Sequence, residues 1–184
     1  MKKSGFNFTH IGIFARDLDA MERFYTGILD FTVTDRGELE GPDGPVSLIF
    51  MSKDPDEHHQ IVLISGRPEN IGFNVINQIS LKGETVAELK EIYERLQADD
   101  APGLSPVTHG NALSVYVLDP EGNRIELYVN MPWYVTQPMR VPIDFSLDEA
   151  ALMKVTEEHA RKLPGFRPRS VWHEEMKIRM GLAE

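Results

Sequence analysis

Three pairs of residues in this chain stand 68 positions apart: His10 and Gln78, Leu18 and Val86, Tyr25 and Tyr93. Each pair occupies the same place in a recurring order of strand, helix and further strands, which is the signature of a duplicated unit. One such unit, a single helix on a half-buried sheet, is marginal by itself. Two together can share a concave surface. The repeat therefore predicts an α+β fold of two tandem βαβββ modules forming a cupped mixed sheet, with a C-terminal helical extension. The modules are expected over 1–70 and 71–130, and the extension over 131–184.

Local patterns fill in each copy. Residues 6–15 are β-branched and aromatic enough for a strand. Asp17 then caps a helix carrying Leu18, Met21, Phe24, Tyr25 and Ile28 at helical spacing. Strands follow at 31–37, 46–51 and 60–65, with turn chemistry in Gly41-Pro42-Asp43-Gly44-Pro45. In the second copy a strand at 76–82 precedes an amphipathic helix at 85–96. A loop or short strand at 102–109 and strands at 113–119 and 124–130 complete it. The tail reads as extended surface chain over 131–142, where it holds three prolines, Trp133 and Tyr134. A helix from Ser146 to about Leu163 and a last one at 170–180 end the chain.

Charge and composition narrow the function. The net charge of −10 argues against a nucleic-acid or acidic-membrane partner, which would need a basic face. With no cysteine, thiol catalysis and zinc-thiolate sites are excluded, so a metal would need nitrogen and oxygen ligands. No apolar run is long enough to cross a bilayer. The first ten residues carry Lys2 and Lys3 but no apolar stretch after them, so no signal peptide is expected. The expected setting is the cytoplasm, and the charge gives no positive clue to a substrate.

Two residues of ligand type sit in strand-like sequence. His10, sharing side-chain parity with Phe8, Gly12 and Phe14, reads as a hydrogen-bonded core histidine as readily as a ligand. Glu126, flanked by Ile125 and Leu127, needs a partner, since an unpaired buried charge is costly. Arg124, Lys82 or exposure on a one-sided sheet would answer that need as well as a metal. His109 before a glycine also fits an exposed turn, Tyr116 a core position, and His58-His59 a solvated loop pair.

His10-Ile11-Gly12-Ile13, with Asp17-Leu18-Asp19, Phe24-Tyr25 and Leu29-Asp30-Phe31, resembles the opening module of the vicinal oxygen chelate superfamily. That group holds the extradiol ring-cleaving dioxygenases, glyoxalase I, and the fosfomycin and bleomycin resistance proteins. Thr108-His109-Gly110 and the run from Val115 through Asp119-Pro120-Glu121-Gly122-Asn123 to Glu126 look most like the dioxygenase catalytic domain. The resemblance spans about residues 6–145, and its most specific segment, at 119–126, identifies fold better than reaction. It implies His10, Gln78 and Glu126 as metal ligands, Fe(II) or Mn(II) as the ion, and a homodimer. It also implies His109 as acid and base beside the substrate, Tyr116 as a hydrogen-bond donor to it, and His59 close behind.

The chain departs from that pattern at Gln78, where the dioxygenases carry histidine. An amide oxygen is a harder and weaker donor than imidazole and favours harder ions. Val62 stands where glyoxalase relatives have a fourth ligand, which leaves a three-ligand open site. Two functions follow: a metal-dependent dioxygenase-like enzyme acting on a catecholic or other vicinal-oxygen molecule, or a metal-free drug-sequestering protein. In the second, Phe8, Phe14, Phe50 and Trp133 would line an apolar pocket. A glyoxalase-like isomerase is a third, disfavoured by Val62.

Overall fold

A computed structural model describes residues 5–42 and 44–182. Asp43 of the expected turn, and Lys2 and Lys3, lie outside the described residues. The chain divides into two compact units, Met1–Val75 with Asp119–Asn123, and Ile76–Leu118 with Arg124–Glu184. No described helix is long and apolar enough to cross a membrane.

The first unit runs β1 (Ile11–Ala15), α1 (Leu18–Gly27), β2 (Thr32–Gly41), β3 (Gly44–Ser52) and β4 (Ile61–Ser65). Its sheet has the order β1-β4-β3-β2, with β1 and β4 parallel and Ile11 opposite Ile61. The second unit runs β5 (Ile79–Lys82), α2 (Val86–Ala98), β6 (Ser105–Thr108), β7 (Ala112–Leu118) and β8 (Arg124–Asn130). The same order recurs as β5-β8-β7-β6, extended beyond β6 by β10 (Val141–Pro142), and Ile79 lies opposite Ile125. Ile11 and Ile79 open the two first strands, and Leu18 and Val86 open the two helices, at the spacing of the repeat. The duplication is therefore visible in the folded backbone.

Helix starts are fixed by side chains. Asp17 accepts from the Ala20 amide, while Thr85 and Glu88 form a reciprocal capping box. In the first unit α1 packs on β4 through Met21, Phe24 and Tyr25, over Ile13, Ala15, Ile49, Met51, Ile61 and Leu63. In the second, Val86, Leu89 and Leu96 of α2 cover Leu113, Val115, Val117, Ile125, Leu127 and Val129. Alternation along each strand sends the intervening residues to the face turned away from the helix.

The first strand is shorter than its sequence suggests. It begins at Ile11, whose amide donates to the Gln60 carbonyl, because β4 starts only at Ile61. His10 therefore precedes the strand instead of lying inside it, and Phe6 and Phe8 are 95% and 84% exposed. Gln78 likewise precedes β5.

The tail differs from the expected surface strap. Met131, Trp133 and Val135 are buried, and the Trp133 indole N–H donates to the Gly110 carbonyl at 2.6 Å. Its β9 (Trp133–Tyr134) pairs with β11 (Arg167–Pro168). The first tail helix, α3 (Glu149–Ala160), is capped by Asp148 and stops short of Leu163. In α4 (Arg169–Arg179), Trp172 stacks on Tyr134 with ring centres 5.2 Å apart.

The segment 119–123 proves structural in detail. Asp119 Oδ1 accepts from the amides of Glu121 and Asn123, and its Oδ2 accepts from Asn123 Nδ2 and the Tyr25 hydroxyl. Gly122 supplies a left-handed residue at φ 78°. Glu121 Oε1 then accepts from the amides of Arg16 and Asp17, and its Oε2 pairs with Arg16 Nε at 3.0 Å. Burial works against that charge, but these donors outweigh it and hold the Glu121 carboxyl below its ordinary value. Glu121→Ala would strip acceptors from two backbone amides between β1 and α1. It is expected to cost about 2 kcal/mol or more in urea denaturation, the scale of buried donors left unpaired. A loss under about 0.5 kcal/mol, the range of ordinary surface substitutions, would refute that role.

Candidate functional site

On the face of the second sheet turned away from α2, one carboxylate collects nearly every nearby donor. Glu126 lies in β8, directly opposite Ser80 of β5 on one side and Tyr116 of β7 on the other. Its Oε2 accepts from Gln78 Nε2 and Ser80 Oγ, each at 2.6 Å. Its Oε1 accepts from Ser114 Oγ at 2.8 Å and the Tyr116 hydroxyl at 2.9 Å, with His109 Nε2 at 3.5 Å. A carboxylate has about four lone-pair positions, so protein donors fill them. Burial alone would raise the Glu126 pKa, but His109, Ser80, Ser114 and Tyr116 together bring it down from 4.5 to about 2.

His109 is fixed by the opposite end of its ring. Its Nδ1 lies 2.8 Å from the Met139 carbonyl, which can only accept, so Nδ1 carries a proton. Nε2 is then the titrating nitrogen, 3.1 Å from the Tyr116 hydroxyl. While Tyr116 donates to Glu126, its oxygen can accept only from a protonated Nε2. The hydrogen bond to Glu126, more than the opposing burial, raises the His109 pKa. Burial, then Glu126, pushes the Tyr116 hydroxyl up to about 12. The result is a neutral phenol between the His109 imidazole, which Glu126 biases toward its protonated form, and a carboxylate.

The backbone beside His109 is equally constrained. Gly110 has φ 73°, and a Cβ there would stand 2.5 Å from Val135 Cγ2. The His109-Gly110 pair is thus a packed turn instead of a solvated one. The alternative partners for Glu126 are engaged elsewhere: Lys82 pairs with Glu84 at 3.7 Å, and Arg124 reaches Asn77 at 3.5 Å.

The other two candidates belong to the first unit. His10 is exposed, with Nδ1 3.0 Å from Thr9 Oγ1, and its ring centre lies 4.3 Å from that of His59. His59 also contacts Phe50 at 5.1 Å, and its Nδ1 lies 3.0 Å from His58 Nδ1. Burial, then the charges of His10 and His58, hold His59 below its ordinary value. The expected ligands thus fall in two groups, His10 in the first unit, Gln78 and Glu126 in the second. Among the described residues no three His, Asp or Glu side chains are grouped to hold a metal ion.

Ser80, Ser114, Met139 and Arg140 were not among the sequence candidates. Parity offered a signal for the serines, since Ser80 and Ser114 lie two residues from Gln78 and Tyr116. Nothing in the sequence marked the Met139 carbonyl or Arg140, whose guanidinium lies 4.8 Å over the Tyr116 ring.

A family model described as the Glyoxalase/Bleomycin resistance protein/Dioxygenase superfamily matches residues 7–127. The chain belongs to this superfamily. Within it, the chain is 28% identical over 162 residues to biphenyl-2,3-diol 1,2-dioxygenase 2 of Rhodococcus globerulus, covering 79% of this chain and 80% of that protein. Its fold is similar to that of a superfamily domain from Frankia sp. EAN1pec, with TM-score 0.58 and 23% identity over 71% of this chain and all of that one. A fosfomycin resistance protein of Listeria monocytogenes, solved with Mn(II) and sulfate, shares the fold at TM-score 0.50 and 18% identity. That match covers 71% of this chain and 95% of the other.

The coupling of His109 to Glu126 has a defined pH window. Glu126, depressed to about 2, contributes stability above 4.5 that is lost as pH falls through about 2. His109, raised from 6.5, contributes stability below 6.5 that is lost as pH rises through its folded value. The unfolding free-energy difference between wild type and Glu126→Gln is expected to be about 3 kcal/mol, the scale of a broken buried pair. It should be largest between pH 4.5 and 6.5 and shrink on both sides. Urea denaturation across pH checks this, and a difference independent of pH contradicts it.

Proposed function

We propose that this member of the superfamily is an enzyme acting on a catecholic or other vicinal-oxygen small molecule, on the Glu126 face of the second sheet. The observation carrying this reading is the hydrogen-bonded chain from His109 through Tyr116 to Glu126. The kinship with an enzyme named for biphenyl-2,3-diol supports the substrate class. His109 Nε2 exchanges a proton with a substrate hydroxyl, since Nδ1 is held by Met139. The Tyr116 hydroxyl and the Gln78 carboxamide hydrogen-bond the substrate oxygens. Glu126 favours the protonated form of His109. His59, beside His10, is assigned to the substrate's surroundings, and the homodimer stays part of the reading on family grounds.

Ring cleavage by dioxygen calls in addition for a divalent ion, Fe(II) or Mn(II), on His10, Gln78 and Glu126. The donor set as it stands does not fit that ion. Both Glu126 oxygens are filled by protein donors, and Gln78 turns its amide nitrogen, a non-ligand, toward the carboxylate. The same saturation favours a second reading, a protein that holds its ligand without metal or turnover.

Calorimetric titration with a catechol panel that includes biphenyl-2,3-diol tests the reading, together with oxygen uptake and metal analysis after reconstitution with Fe(II) or Mn(II). Binding is expected, and where a bound ion brings turnover, His109→Gln should lower kcat on the order of 100-fold with little change in KM, as for loss of a general acid–base. Binding without turnover would establish the second reading. No binding of any catechol would remove both.

A further inference from the structure

Resting on the reading above, we propose that the substrate carries a carboxylate beside its vicinal oxygens, and that Arg140 is the residue that selects it. Arg140 is exposed, yet its backbone is held on both sides. The preceding Met139 accepts from His109 Nδ1 through its carbonyl and donates its amide to Gln137 Oε1 at 3.1 Å. Gln137 Nε2 in turn donates to the His109 carbonyl at 2.7 Å and to Asn111 Oδ1 at 3.2 Å. The following Val141 pairs with Thr108 in the β10–β6 ladder. A surface arginine ordinarily sweeps many rotamers, but this one is set where its guanidinium lies over the Tyr116 ring at 4.8 Å.

That contact uses one face of the guanidinium and leaves its N–H edge for an acceptor. No carboxylate among the described residues forms an ion pair with Arg140. The Glu126 carboxylate is taken up by its own donors. Arg140 also lies close enough for its charge to be felt at both His109 and Tyr116. A chain of net charge −10 repels anions overall, so an anionic ligand needs a local cation to be held. A planar guanidinium stacked beside the phenol suits an aromatic ring bearing a carboxylate, which it can meet with two parallel N–H bonds.

The test is calorimetric titration of the full chain with catechol, 2,3-dihydroxybenzoate and benzoate, at low and high salt. Wild type is expected to bind 2,3-dihydroxybenzoate roughly tenfold tighter than catechol, an advantage that shrinks with salt. Arg140→Met, which keeps the apolar stem on Tyr116, should erase the advantage and leave catechol binding unchanged. Arg140→Lys should retain part of it. Equal affinity for the two catechols in wild type would overturn the proposal. So would an equal loss of both in Arg140→Met, which would mark Arg140 as packing for Tyr116. If no catechol binds, the reading of the previous subsection fails. Benzoate then decides the anion site by itself, supporting it when held by wild type and lost in Arg140→Met, and overturning it when not held.

Discussion

A charged carboxylate in the middle of a buried strand must find partners, and in this protein Glu126 finds them on the two strands that flank it. Ser80 and Tyr116 are its direct cross-strand neighbours, Ser114 lies one pair along β7, and Gln78 enters from just before β5. Each of those donors is fixed by the requirement, and His109 is drawn in behind Tyr116. An ionised Glu126 that favours a proton on the Nε2 beside it is the arrangement from which the acid–base reading follows. Removing the charge would leave two serines, a phenol and an amide with a shared acceptor missing.

The two copies of the βαβββ unit answer the same geometry differently. In the first sheet Gly12 and Phe50 flank Val62, in the register that Ser80 and Tyr116 keep around Glu126 in the second. One copy therefore carries an apolar face and the other a polar one, although helix starts, strand order and pairing repeat. Duplication supplied the frame, and substitution at three facing positions supplied the chemistry.

The repeat was legible because it rests on spacing, which survives folding without modification. Leu18 and Val86 open equivalent helices, as their periodicity implied. Strand ends were less legible, because the first strand begins where its parallel partner β4 begins and not where residues become β-branched or aromatic. His10 fell outside its strand for that reason. Residues 131–142 looked like surface chain because of their prolines, but Trp133 and Val135 had a place in the second core that no local pattern announces. In the candidate site, Gln78 was nameable from the repeat and Glu126 from its place in an apolar strand, while His109 and Tyr116 were named through the family resemblance. The donors from Ser80 and Ser114 needed the register, and the Met139 carbonyl that fixes His109 is backbone, which carries no residue-type signal at all.

The state of Glu126 is the claim on which the account stands. Carbon-13 NMR of the side-chain carboxyls, titrated from neutral pH downward, observes that state directly. The Glu126 resonance is expected to keep its ionised shift through the ordinary carboxylate range and to titrate only near pH 2. A midpoint at or above 4.5 would mean that the surrounding donors do not hold the charge, and would contradict the account.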